Sequence, residues 1–233
     1  YNLTEEEFRG GRFVEQPGQM KGNNDLLCLT APHIIRDIHR KYLEAGADII
    51  ETNTFSANMI SQSEYGCERF AFQMAFEGAR LAREAADEAA ASAASAGLQR
   101  KVWVAGSIGP TSKSLSLSPD ASDPGFRPYS FEQMRAAYRE QAEGLLRGGV
   151  DLLLVETCFD ALNVKAALAG IADTGMMEGT DIPAVMISVS VGDRSGRTLT
   201  GQTLEAFYTS VRHFPIISFG LNCSLGAAEM MPM

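Results

Sequence analysis

The sequence predicts a parallel α/β fold, and three observations carry that reading. Five apolar runs rich in Val, Ile and Leu, at residues 47–52, 102–106, 150–157, 184–191 and 216–222, show no alternation. Such runs mark strands covered on both faces. Amphipathic helical patterns separate them, as βα repetition requires. Third, Gly46-Ala47-Asp48-Ile49-Ile50-Glu51-Thr52 is echoed by Gly149-Val150-Asp151-Leu152-Leu153-Leu154-Val155-Glu156-Thr157. Both read as glycine, small residue, Asp, strand, Glu-Thr, so two strands deliver a carboxylate to their C-terminal ends. That is the ligand edge of a (β/α)₈ barrel and of a doubly wound sheet alike, and the repeat alone does not choose between them.

Bulk properties narrow the class. With 45% hydrophobic and 21% charged residues among 233, the chain has a globular composition and enough length for one large α/β domain. A net charge of −9 gains nothing from counterion release, which argues against a nucleic-acid partner. No basic cluster suits an anionic membrane surface, and no run reaches the ~18 apolar residues of a membrane span. The four cysteines, Cys28, Cys67, Cys158 and Cys223, form no CxxC pair and lie far apart. That pattern fits free thiols in a reducing cytoplasm. The opening Tyr1-Asn2-Leu3-Thr4 carries neither an initiator Met nor a signal pattern, so the natural start is expected upstream.

Taken in order, the helices have defined signals. Thr30 is placed to cap a helix opening at Pro32, with Ile34, Ile35, Ile38, Tyr42 and Leu43 on one face and Gly46 past its end. An Ala-rich stretch over residues 70–94 has high helix propensity. Ser130-Phe131-Glu132-Gln133 is a capping box for a helix running to about Gly148. Asp160 is placed to cap a helix to about Asp173, and a last one covers 204–213. Two long polar loops, 107–129 and 192–202, leave the C-terminal ends of strands, where long loops are commonly functional.

The candidate chemistry gathers at those ends. A glutamate closing a buried strand is costly unless paired or used, which singles out Glu156 and Glu51; a salt bridge or helix-cap role is the plain alternative. Cys223, in Gly220-Leu221-Asn222-Cys223-Ser224, suits a metal ligand or nucleophile. On position alone an inert buried thiol serves as well. Asn53, Thr54, Asn222 and Ser224 add polar groups on the same face. Gly106-Ser107-Ile108-Gly109-Pro110 offers amides to an anion or simply makes a tight turn. Arg194 and Arg197 either hold an anion or are solvated. His33, His39 and His213 fall on helices, on the outer ring, away from any zinc. No standard nucleotide cradle is present.

These residues carry a resemblance. Lys21-Gly22-Asn23-Asn24-Asp25-Leu26-Leu27, Glu51-Thr52-Asn53-Thr54-Phe55, Gly109-Pro110-Thr111, Val155-Glu156-Thr157, Ser195-Gly196-Arg197-Thr198-Leu199 and Gly220-Leu221-Asn222-Cys223 resemble the homocysteine-binding module of cobalamin-dependent methionine synthases. The Asn-Thr-Phe and Gly-Leu-Asn-Cys motifs are shared with the wider homocysteine methyltransferase family. The resemblance covers nearly all of residues 1–233 and implies a (β/α)₈ barrel, here incomplete, without its first and last strands.

It also implies a chemistry. Zinc held by three cysteines binds the homocysteine thiol and lowers its pKa, and the thiolate takes a methyl group from methylcobalamin to give methionine. Cys223 matches one zinc ligand; the other two, an adjacent cysteine pair, are expected beyond Met233. Glu156 matches the glutamate that contacts the homocysteine amino group, and Asn53, Thr54, Ser107 and Asn222 are the expected further substrate contacts. Methylcobalamin and methyltetrahydrofolate belong to other modules of the same polypeptide. The rival readings are a betaine- or S-methylmethionine-dependent methyltransferase and a non-catalytic barrel relic.

Overall fold

The computed structural model describes residues 1–178 and 183–233. Five parallel strands, β1 (Ile49–Glu51), β2 (Trp103–Ile108), β3 (Leu152–Cys158), β4 (Val185–Val189) and β5 (Ile216–Leu221), pair in the order β1-β2-β3-β4-β5. The main connecting helices are α3 (Pro32–Glu44), α5 (Ala71–Ser95), α6 (Phe131–Arg147), α7 (Ala161–Glu178) and α8 (Leu204–Val211). Short helices α1 (Glu5–Arg9), α2 (Leu27–Thr30), α4 (Met59–Gln62) and α9 (Ala227–Met230), with 3-10 turns at Asn24–Leu26, Ser63–Tyr65 and Glu68–Phe70, complete the described elements.

Strand order decides what the sequence repeat left open. A doubly wound sheet reverses its order at a switch point and carries helices on both faces. Here the order never reverses, and α3, α5, α6, α7 and α8 pack each on the next along one face. Ile50, Val104, Leu153, Val155, Val185, Ile187 and Val189 point into that helix layer. The other face is lined at its base by Ala105, Leu152 and Leu154, with Ala184 and Met186 against them. This is the wall of an incomplete (β/α)₈ barrel.

Local signals explain most boundaries. Gly46 at φ +99° and Gly149 at φ +96° turn the chain from helix to strand in both copies of the repeat, a left-handed conformation glycine adopts without steric cost. The Ser130 capping box forms, with Gln133 closing back on the Ser130 amide. Asp160 Oδ1 accepts the Leu162 amide at 2.9 Å at the head of α7. The role expected of Thr30 is corrected: it ends α2, and its hydroxyl donates back to Leu26 O at 3.3 Å, while Ala31 is the residue before α3. Asp151, from the repeat, binds the Val104 amide at 2.7 Å and Arg83 at 2.9 Å, tying β3 to β2 and α5.

β1 and β5 each pair on one side only among the described residues, and Ile49 and Ile217 are exposed near these edges. Between α3 and the free edge of β1 runs a groove of about 440 Å³ lined by Ile35, His39, Tyr42, Glu51 and Asn53. His39 lies on α3 in the outer helix layer, as expected, with its side chain turned inward. It is buried, its Nε2 has no partner among the described residues, and burial lowers its pKa to about 4. His213 lies in the turn after α8.

Candidate functional site at the rim of the sheet

Strand alternation places one polar residue per strand on the inner face at the C-terminal rim. Ile49 and Glu51 share a face of β1; Ala105 and Ser107 share one of β2. Leu152, Leu154 and Glu156 do so on β3, and Met186 and Ser188 on β4. Asn222 follows β5 and binds its amide to Val189 O at 3.0 Å. The rim thus holds Glu51, Ser107, Glu156, Ser188 and Asn222 above an apolar base.

Glu156 is held firmly. Ser107 Oγ donates to its Oε1 at 2.6 Å, and Thr157 Oγ1 donates to Oε2 at 3.4 Å. A carboxylate with both oxygens fixed from the sides presents its remaining lone pairs to a ligand above the rim. Glu51 has its pKa raised, first by desolvation and second by the charge of Glu156. The rim is accordingly an electronegative place, suited to a cationic group such as an ammonium.

Cys223 is the exposed cysteine, while Cys28, Cys67 and Cys158 are buried. Burial pushes the Cys28 thiol up to about 12 and raises that of Cys158 further, so neither supplies a thiolate at neutral pH. Cys223 at φ +67° and Ser224 at φ +64° are consecutive left-handed residues, and Thr157 sits at φ +56°. These are the non-glycine residues at positive φ among those described. Each costs roughly 1–3 kcal/mol, and such strain gathers at functional sites.

Two expected contacts lie elsewhere. Thr54 is fully buried against Gly78 of α5, where a Cβ added to that glycine would lie 2.4 Å from Thr54 Cγ2. Its hydroxyl meets Thr52 Oγ1 at 2.6 Å and donates to Ser107 O at 2.8 Å. Asn53 donates to Asn24 O at 2.8 Å, toward the loop before α2. Thr54 is thereby held in the interior behind the rim, while Asn53 lines the groove beside Glu51. Asn222 is at the rim, but its carboxamide is occupied by Thr157 and Ser188. The anion cradle considered at Gly106–Gly109 is also corrected: the Ser107 amide binds Thr52 Oγ1 at 2.9 Å and the Gly109 amide binds Phe55 O at 2.9 Å. Arg194 pairs with Glu229 at 2.8 Å, and Arg197 binds Gly201 O at 2.7 Å. Ser188 and Thr157 were not foreseen. A serine interrupting Val185-Met186-Ile187-Ser188-Val189 was the available signal for the first.

Among the described residues, no group of three or more His, Cys, Asp or Glu side chains is arranged to hold a metal ion. A catalytic zinc takes three protein ligands, so the residues present do not by themselves fit one; Cys223 is a single donor.

The family model for homocysteine S-methyltransferase matches residues 1–233. This chain belongs to the homocysteine S-methyltransferase family. Its fold resembles that of the homocysteine methyltransferase MmuM from Escherichia coli. The metallated form superposes with a TM-score of 0.71 at 23% identity, covering 97% of this chain and 73% of that one. The oxidized form gives 0.66 at 23% identity, over 84% and 64% of the two chains. The apo form gives 0.65 at 22%, over 89% and 68%. At these identities the likeness speaks for the fold. No helix among the described residues is long and apolar enough to cross a membrane.

Proposed function

We propose that this chain is the homocysteine-binding module of a cobalamin-dependent methionine synthase. One observation carries the substrate part: Glu156, braced by Ser107 and Thr157, stands at the same rim as Asn222, whose next residue is the exposed Cys223. In this reading the Glu156 carboxylate accepts from the homocysteine ammonium. Ser107 keeps that carboxylate turned toward the substrate. The zinc site of this proposal takes one ligand, Cys223, from this chain and the others from polypeptide outside these 233 residues. Methylcobalamin and methyltetrahydrofolate would be bound by further modules. The Gly22-Asn23-Asn24-Asp25 run favours the cobalamin branch over a betaine- or S-methylmethionine-dependent enzyme.

Two results are expected. The isolated 233-residue chain should hold no stoichiometric zinc at nanomolar concentration, read by metal analysis after dialysis. Tight one-to-one zinc would show that the ligand set is complete without outside cysteines. In the complete polypeptide, Cys223→Ala should remove both zinc and homocysteine binding. Glu156→Gln should retain zinc and weaken homocysteine by about 1.5–3 kcal/mol, roughly 10- to 100-fold, the worth of a hydrogen bond to a charged group. Methyl transfer to homocysteine from S-methylmethionine or betaine, with none from methylcobalamin, would refute the cobalamin assignment and keep the family.

A further inference from the structure

β3 and β5 are not neighbours in the sheet; β4 lies between them, and no backbone ladder joins them. Their ends are nevertheless tied by one side chain. The Thr157 amide donates to Asn222 Oδ1 at 3.2 Å, and Asn222 Nδ2 donates to Thr157 Oγ1 at 2.9 Å. From β4, Ser188 Oγ donates to the same Oδ1 at 2.7 Å. The carboxamide orientation is set by these contacts, because an amide and a hydroxyl both donate to its oxygen.

The knot has a direction. Thr157 Oγ1, accepting from Asn222, in turn donates a hydrogen bond to Glu156 Oε2 at 3.4 Å. The hydrogen-bonded chain therefore runs from Asn222 through Thr157 to Glu156, and Ser107 closes it on Oε1 at 2.6 Å. Glu156 precedes Thr157 in sequence, and Cys223 follows Asn222. A register shift between Val155 and Cys158 frees the β3 backbone from its ladder where Thr157 turns. An ordinary strand end needs no β-branched residue in the left-handed region, where such side chains are rare. Here Thr157, Cys223 and Ser224 all adopt it, on the two segments the carboxamide joins.

We infer that Thr157 and Asn222 are positioning residues that hold the Glu156 carboxylate and the Cys223 thiol in one fixed relation. This rests on the homocysteine reading of the rim. It gives that reading a specificity device: ammonium and thiol of one small amino acid meet groups whose spacing is locked across three strands. Asn222 acts through Thr157 and does not itself touch the substrate.

Cys223 is exposed and the other three cysteines are buried, so a nitroxide attached to the accessible thiol of the 233-residue chain reports on this segment. Thr157→Val keeps the branching and removes the hydroxyl; Thr157→Ser keeps the hydroxyl. The label should rotate at least about twofold faster in Thr157→Val and Asn222→Ala, and at the unmodified rate in Thr157→Ser. In the complete polypeptide, Thr157→Val should weaken homocysteine roughly tenfold, with Thr157→Ser within about twofold. If Thr157→Val does not fold, Asn222→Asp, which keeps the acceptor and loses the donor, takes its place. A folded Thr157→Val protein with unchanged label mobility and unchanged homocysteine affinity overturns the inference. A label that loosens as expected, in a protein whose parent binds no homocysteine at all, would support the clamp and sink the substrate reading.

Discussion

Alanine at Gly148 is expected to destabilise the protein by about 1–3 kcal/mol, the range for overpacking a filled interface. α5 and α6 cross at small residues, with Ala75 and Ala79 on one helix facing Gly144 and Gly148 at the end of the other. A Cβ at Gly148 would lie 2.5 Å from Ala79 Cβ and 2.5 Å from Phe76 O; at Gly144 it would lie 2.9 Å from Ala75 Cβ and 2.9 Å from Phe72 O. Two of these neighbours are backbone oxygens, which cannot rotate away. Inside a helix, glycine to alanine would otherwise gain up to about 1 kcal/mol from propensity, so Gly144→Ala pits that gain against the clash and should still lose. The damage should reach the rim, because α6 also carries Gln141, whose Nε2 holds Thr54 O at 2.7 Å behind Ser107. Urea unfolding at constant slope measures the loss; an unchanged or raised midpoint for Gly148→Ala would mean the helices separate at little cost.

Asp25→Asn is expected to stabilise the protein at pH 7 by about 3 kcal/mol. Asp25 is buried in the turn before α2, and its Oδ1 accepts the Ser56 amide at 2.9 Å. Burial raises its pKa from 3.8 to about 6, against the opposing pull of that amide. A carboxyl whose pKa is higher folded than unfolded keeps its proton in the native state after the unfolded chain has released it. Its contribution is thus fully present below about pH 3.8 and is lost as pH rises through about 6. About two units at roughly 1.4 kcal/mol each give the magnitude. Asparagine keeps the acceptor for Ser56 and cannot ionise. The difference in unfolding free energy between the two proteins should grow from pH 4 to pH 7 and then level. Carboxylates with lowered values, such as Asp37 beside Lys41 and Glu5 at the Met20 amide, cancel in this difference. A pH-independent difference would mean that Asp25 keeps its ordinary pKa.

Several features were legible in the sequence because their causes are local. The five strands were visible as uninterrupted apolar runs, and each observed strand falls at or within two residues of its predicted span. Gly46, Gly149 and the Ser130 box act within a turn or two of chain, so their residue types announce them. Glu51 and Glu156 could be placed at the C-terminal ends of their strands because each closes an apolar run, while the face they share was fixed only by the sheet. Membership of the homocysteine S-methyltransferase family was written in short motifs along the chain.

The tertiary structure decided the rest. Doubly wound sheet and barrel wall share the same local pattern, and the unreversed strand order chose between them. Thr54 looked like a rim residue until packing against Gly78 of α5 buried it, while Thr157 looked like ordinary strand. Asn222 and Thr157 are 65 positions apart, and nothing in the neighbourhood of either names the other. Propensity, period and capping reach about four residues along the chain. The choice of a hydrogen-bonding partner across three strand ends is made only when the sheet brings those ends together.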